Sequence, residues 1–202
     1  MQDISANHGY EVIRVEAPQV LQLRHRVLNP KGPESSIMFP EDTHATTLHF
    51  AAHRTLSASC SYAIVACVTL MVQPLEDFMA WRIRAMAVDP KLQRQGFGKK
   101  VLSTGLGWLV DHGWRDCLVW ATVRVEAIGF YKRFGLVVDS PQFDHGFSGP
   151  SVRMCKYNSD ASDVRQIPIV ARKHQDKVSP KTRSCDGAWY YTQGYKDAEL
   201  DY

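Results

Sequence analysis

Residues 93–100 read Gln-Arg-Gln-Gly-Phe-Gly-Lys-Lys, and their types and spacing suit them to hold an anion. Gly96 and Gly98 would let the backbone approach a ligand without a Cβ in the way. If a helix starts here, its first N–H groups lack intrahelical acceptors and its dipole end is positive, so an anion is favoured. Lys99 and Lys100 sharpen the question, because positive side chains in a first helical turn oppose the macrodipole. Either they point into water or something anionic sits beside them. Two phosphate-cradling patterns fail. A Walker loop, GxxxxGK[ST], meets Gln93 where its first glycine belongs and Lys100 where Ser or Thr belongs. A dinucleotide fingerprint, GxGxxG, meets Val101 at its third glycine and has no β-α-β unit before it. A third pattern, Q/R-x-x-G-x-G/A, fits Gln93 to Gly98. A glycine turn that merely opens a helix fits as well.

Such a loop acts only where a strand delivers the chain and a helix carries it away. Residues 81–88, "WRIRAMAV", read as that strand, stopped by Asp89-Pro90. Residues 96–112 read as the helix, with Phe97, Val101, Gly105 and Leu109 on one face and Gly113 as the stop. Upstream, alternation predicts strands over 10–17, 46–54 and 60–73, and a proline-led helix over 18–28. Residues 29–45 are rich in breakers and read as a loop. Downstream come a strand over 115–123, a helix over 126–134 ended by Gly135, and short strands over 136–139 and 151–157, with a loop between these two.

After Tyr157 the composition mixes charges of both signs with breakers and no sustained period. This sets an expected domain over 1–157 and a weakly ordered extension over 158–202. Net charge is +3 over 202 residues, too mild to imply nucleic acid. The longest apolar run, 62–72, is too short for a membrane helix, and the first residues lack a charged-then-apolar leader. Cys60, Cys67, Cys117, Cys155 and Cys185 form no CxxC and no zinc spacing, so no metal site is expected. A reduced, cytoplasmic protein is the expectation.

The glycine loop is joined by a second segment, "AIGFYKRFGL" at 127–136, about thirty residues on and in a short helix. With "MAVDP" before the loop, the chain resembles the GCN5-related N-acetyltransferases over roughly residues 10–157. The segment is similar to that family's A-x-x-F-Y-x-x-x-G-F. "LRHRVLNP" (23–30), "LHF" (48–50), Arg84 and Arg124 further resemble the ElaA-like branch. The resemblance implies an α/β (α+β) fold with a central mixed, mostly antiparallel sheet of six to seven strands, flanking helices, and a splay between strands 4 and 5. It implies acetyl-CoA as co-substrate. Backbone groups of Met86, Ala87 and Val88 would pair with pantetheine. Gln93, Arg94, Gln95, Gly96, Phe97, Gly98, Lys99 and Lys100 would receive the pyrophosphate, whose charge would account for the lysines.

Acetyl transfer to a primary amine of a small molecule or protein needs a proton donor for the leaving thiolate. Read from spacing alone, Tyr131 is a core aromatic with Ala127 and Phe134; read with the resemblance, it is the general acid, since a phenol stays protonated at neutral pH. The base is poorly specified. Relatives place glutamate where this chain has Arg82, which cannot take a proton. Glu41, Asp42, His44 and His49 are candidates, though a solvated acidic loop and a packed strand histidine also fit them. Arg24 and His25 are expected toward the acceptor side, with a helix-surface arginine equally compatible. His112 reads as a helix cap and Cys117 as core. Thr122 and Ser151 depart from the asparagine and histidine common in relatives. The alternatives are a non-catalytic acyl-CoA-binding module and an acyl-homoserine-lactone-synthase-like acyltransferase. The acceptor is unidentified, and pairing as a homodimer is left open.

Overall fold

The computed structural model describes residues 10–55 and 62–157, and two short strands beyond them, Thr182–Arg183 and Trp189–Tyr190, which pair antiparallel. The expected weak order of 158–202 otherwise lies outside the described residues. β1 (Tyr10–Val15) leads to α1 (Ala17–Leu28), then two 3-10 turns (Glu34–Ile37 and Pro40–Thr43) inside the expected loop. β2 (Thr47–Thr55), β3 (Tyr62–Val72) and β4 (Ala80–Val88) follow, then α2 (Phe97–Asp111), β5 (Leu118–Arg124) and α3 (Ile128–Lys132). β6 (Val137–Val138), β7 (Phe143–Asp144) and β8 (Pro150–Tyr157) close the domain.

One sheet runs β1-β2-β3-β4-β5-β8-β6, with β7 on β8. Its eight strands exceed the expected six to seven. The extra strand, β7, is two residues in a breaker-rich segment, and only its pairing with β8 makes it a strand. All pairs are antiparallel except β4–β5, which is parallel.

Strand alternation splits the apolar residues between two faces. Leu48, Phe50, Val68, Leu70, Ile83, Val119 and Val123 pack on the apolar stripe of α2 and on Tyr131 of α3. Val15, Ala51, Cys67 and Ala87 pack on Val20 and Leu23 of α1. Gly105 lies where α2 comes closest to the sheet, since an added Cβ there would sit 3.0 Å from Leu70 and 3.3 Å from Phe50. No described helix is long and apolar enough to cross a membrane.

Candidate active site

The glycine loop stands where the sequence places it, between β4 and α2. Gly96 is the N-cap of α2 with φ 88°, a left-handed conformation that glycine adopts without strain. No side chain caps this end of the helix. Its first hydrogen bond runs from Lys100 N–H to the Gly96 carbonyl at 2.9 Å. The N–H groups of Phe97, Gly98 and Lys99 therefore precede the ladder and have no intrahelical acceptor. No acidic residue occupies the first turn. Arg94 is also left-handed, at φ 62°. Gln93 and Gln95 brace the loop by donating to the carbonyls of Val88 and Lys91, each at 3.3 Å. Gly98 is set by close packing: a Cβ there would lie 3.1 Å from Met86 and 3.3 Å from Val88. Lys99 is exposed. Lys100 donates to the Tyr10 carbonyl at 3.0 Å, so one of the two lysines is tied to β1.

The splay expected between strands 4 and 5 has a local cause. The β4–β5 ladder stops at Ile83↔Ala121. Two residues on, Ala85 has φ 49°, and in the register with β3 the pairing jumps from Thr69↔Arg84 to Cys67↔Ala87. Val68 thus opposes Ala85 and Met86, a β-bulge. The inserted residue reverses the alternation. Arg82 and Arg84 lie on one face with Phe39, Glu41 and Trp120 around them, whereas Met86 and Val88 pack with the α2 core. The backbone of β4 beyond Ile83 is left without a partner on the β5 side.

Tyr131 stands at this opening. Its ring is buried among core residues and its hydroxyl donates to Met86 Sδ at 3.5 Å. Burial pushes the phenol above its ordinary range, so the proton is retained. The ring is core, as spacing alone predicts, and the hydroxyl faces the part of β4 that the bulge turns inward.

On the α1 face the candidate bases separate. Asp42 is closed off by Arg24 Nη1 at 2.6 Å, Arg24 Nη2 at 3.1 Å and the Phe39 N–H at 3.1 Å. His49 is closed off as well. Its Nε2 lies 2.9 Å from the Asp42 carbonyl, which accepts, so Nε2 carries the hydrogen. Nδ1 then accepts, from Arg24 Nη2 at 3.1 Å and Thr69 Oγ1 at 2.9 Å. Burial holds the imidazole below its ordinary pKa. His44 is exposed. Glu41 differs from all three: Oε2 is buried, accepts no hydrogen bond, and lies 3.6 Å from Arg84 Nη1.

Arg24 is 0% exposed, so it is not the helix-surface arginine that its sequence allows. Besides Asp42 and His49 it donates to Thr69 Oγ1 and to the Ile37 carbonyl. Its position four after Val20, on the apolar stripe of α1, was the available signal. His25 bonds the Gly32 carbonyl at 2.8 Å and shapes the turn after α1. His112 caps α2 through Nδ1 to the Trp108 carbonyl at 2.8 Å, as expected. The thiols of Cys67 and Cys155 are pushed up by burial to about 11 and that of Cys117 to about 12, which leaves them protonated. Sequence reasoning missed the bulge at Ala85 and the stacking of Arg84 on Phe39, 3.5 Å from the ring centroid. An alanine in an apolar strand carries no bulge signal, and Phe39 is remote in sequence from Arg84.

The model of a family described as "Acetyltransferase (GNAT) family" matches residues 21–136. Among solved structures, Escherichia coli ElaA superposes with TM-score 0.59 at 19% identity, covering 73% of this chain and 99% of that one. An acyl-CoA N-acyltransferase from Pseudomonas aeruginosa superposes with TM-score 0.53 at 17% identity, covering 73% and 99%. No curated protein matches the sequence.

Proposed function

The chain belongs to the acetyltransferase (GNAT) family of acyl-CoA-dependent acyltransferases, and from that premise we propose that it transfers the acetyl group of acetyl-CoA to a primary amine. The observation that carries the reading is the opening between β4 and β5, with the uncapped α2 N-terminus at one end and the Tyr131 hydroxyl beside it.

The residues fit an acyl-CoA. The first N–H groups of α2, with no acid in the turn, suit a pyrophosphate. Nothing lies within 4 Å of where a Gly96 Cβ would stand, so the loop leaves room above its own backbone. The unpaired edge of Met86, Ala87 and Val88 can take pantetheine as an added strand. Lys99 lies free to approach the phosphates. Acetyl-CoA would supply an activated acyl group on a thioester sulfur.

The protein's own groups handle the protons. Glu41 takes one from the acceptor nitrogen, directly or through a water, because its Oε2 accepts no hydrogen bond, whereas Asp42 and His49 are closed off by theirs. A bond forms between that nitrogen and the acyl carbon, and the carbon–sulfur bond breaks. Tyr131 gives its proton to the departing sulfur, and desolvation keeps that proton in place until the carbon–sulfur bond breaks. Acid and base stand on opposite faces of the sheet, and the splay is where the two faces communicate.

Thiol release from acetyl-CoA across a panel of amines tests the reading. Tyr131→Phe keeps the ring and its packing. It should retain acetyl-CoA binding and fold, while turnover falls roughly ten- to a thousand-fold. From about pH 7 to pH 9 the wild-type rate should show no falling limb from Tyr131, since its pKa is raised above the ordinary value near 10. Wild-type turnover in the variant would remove Tyr131 from the mechanism, and a folded protein that binds acetyl-CoA but releases no thiol would favour a non-catalytic module.

A further inference from the structure

Two arginines, Arg82 and Arg84, stand on the same face of β4 where the splay begins, and the carboxylate beside them, Glu41, is paired with Arg84. Glu41 lies 3.6 Å from Arg84. Two other arginines around this face are paired with carboxylates, and a third, Arg124, donates to the Leu28 carbonyl at 3.2 Å. Arg24 and Asp42 cancel at 2.6 Å. Arg153 is held by Asp139 at 3.0 Å and Glu76 at 3.2 Å. Arg82 is left over. Its Nη1 donates to Gln73 Oε1 at 2.9 Å, its Nη2 to Thr122 Oγ1 at 3.5 Å, and its guanidinium lies 4.5 Å from the Trp120 ring centroid. Its Nε is buried with no partner. All of these neighbours are uncharged. Burial, then the Arg84 charge, pull its pKa down to about 10, with Glu41 opposing, so the side chain is still a cation at neutral pH.

A half-buried cation without a paired anion is costly, and a guanidinium matches a carboxylate in a planar, two-pronged way. Its position is informative. Arg82 pairs with Trp120 in the register, one step before the last paired residues, Ile83 and Ala121. It therefore lies just below the point where the strands part, on the face that carries Glu41. An acceptor whose nitrogen reaches the splay would set a group only a few bonds from that nitrogen over Arg82.

We propose that the acceptor is an amino acid or similar amino-carboxylate, whose carboxylate seats on Arg82 while its amine faces Glu41 and the splay. The inference rests on the acetyl-CoA reading above and specifies its acceptor. Thr122, hydrogen-bonded to Arg82, belongs to the same seat, and Trp120 forms its floor.

The test is thiol release from acetyl-CoA with each of the common amino acids and with its carboxamide, which keeps the amine and side chain and removes the charge. For at least one amino acid, wild type should prefer the carboxylate in kcat/KM by about ten- to a hundred-fold, the worth of one charge-assisted contact. Arg82→Gln should collapse that ratio toward one through KM, and Arg82→Lys, which keeps charge without the fork, should retain part of it. An acetyl-CoA-induced rise in Tm confirms that each variant is folded. Equal use of acid and amide by wild type, or an unchanged ratio in Arg82→Gln, overturns the inference. So does acetyl-CoA binding without turnover of any amino acid, which leaves the acyl-CoA site standing. Absence of acetyl-CoA binding to the wild type overturns both.

Discussion

The α2 face and the α1 face of the sheet meet at the splay, but they are built from different materials. Toward α2, the groups that would hold a ligand are backbone N–H and C=O groups, exposed because Gly96 is left-handed and because a bulge ends the β4–β5 ladder. Toward α1, the groups are long side chains drawn from α1, the 3-10 turns, β2 and β4. A backbone site tolerates most side chains and specifies a shape common to a whole class of ligands. A side-chain site depends on particular residues and can differ between related chains. The split suits a protein whose donor is shared and whose acceptor is its own.

Within the α1 face a second contrast is visible between two arginines. Arg24 is fully buried and its charge is met by the Asp42 carboxylate, with His49, Thr69 and a carbonyl around it. Arg82 has only neutral partners. One is architecture that locks the loop of 29–45 onto β2 and β3; the other is charge left facing the splay.

Removing Arg24 should have the largest effect. Arg24→Ala leaves the Asp42 carboxylate buried without its cation, and stability in denaturant should fall by about 3–5 kcal/mol. A loss below about 1 kcal/mol would erase the contrast between the two arginines. Next comes Glu41→Gln, which keeps the shape and removes the basic oxygen. Turnover near neutral pH should drop about a hundred-fold with acetyl-CoA affinity retained. The deficit should shrink as pH rises and the free amine supplies itself. An equal deficit at every pH would make Glu41 a packing residue. The smallest effect belongs to His49. Its folded pKa is lowered, so below the ordinary value near 6.5 the unfolded chain takes up a proton that the folded chain refuses. Stability should therefore decline as pH falls through that value, and His49→Gln should flatten the decline. An identical acid limb in both proteins would mean that the imidazole is not held neutral.

What was legible in the sequence follows the same division. The glycine loop, the strand and helix flanking it, and the segment carrying Tyr131 are local in the chain, and each has a period or a breaker that announces it. The splay was expected from the resemblance, but its cause was not readable, because Ala85 looks like any small strand residue and only the register with β3 exposes the extra position. The Arg24 cluster joins residues 24, 42, 49 and 69, whose separations of 18, 25 and 45 from Arg24 carry no motif. Asp42 and His49 read as equals of Glu41 until their hydrogen bonds are counted. The segment over 29–45 read as a loop because its proline and polar residues break periodicity, yet it holds two 3-10 turns and places Phe39 against Arg84.

The central claim is that the loop before α2 and the open edge of β4 form an acyl-CoA site, and calorimetric titration with acetyl-CoA tests it most directly. Wild type should bind saturably at one site per chain. Gly96→Val should bind far more weakly, because a β-branched residue resists φ 88° and cannot hold the loop in its present path. It should still fold, since no neighbouring atom lies within 4 Å of the added Cβ. No binding by folded wild type, or undiminished binding by folded Gly96→Val, would contradict the account.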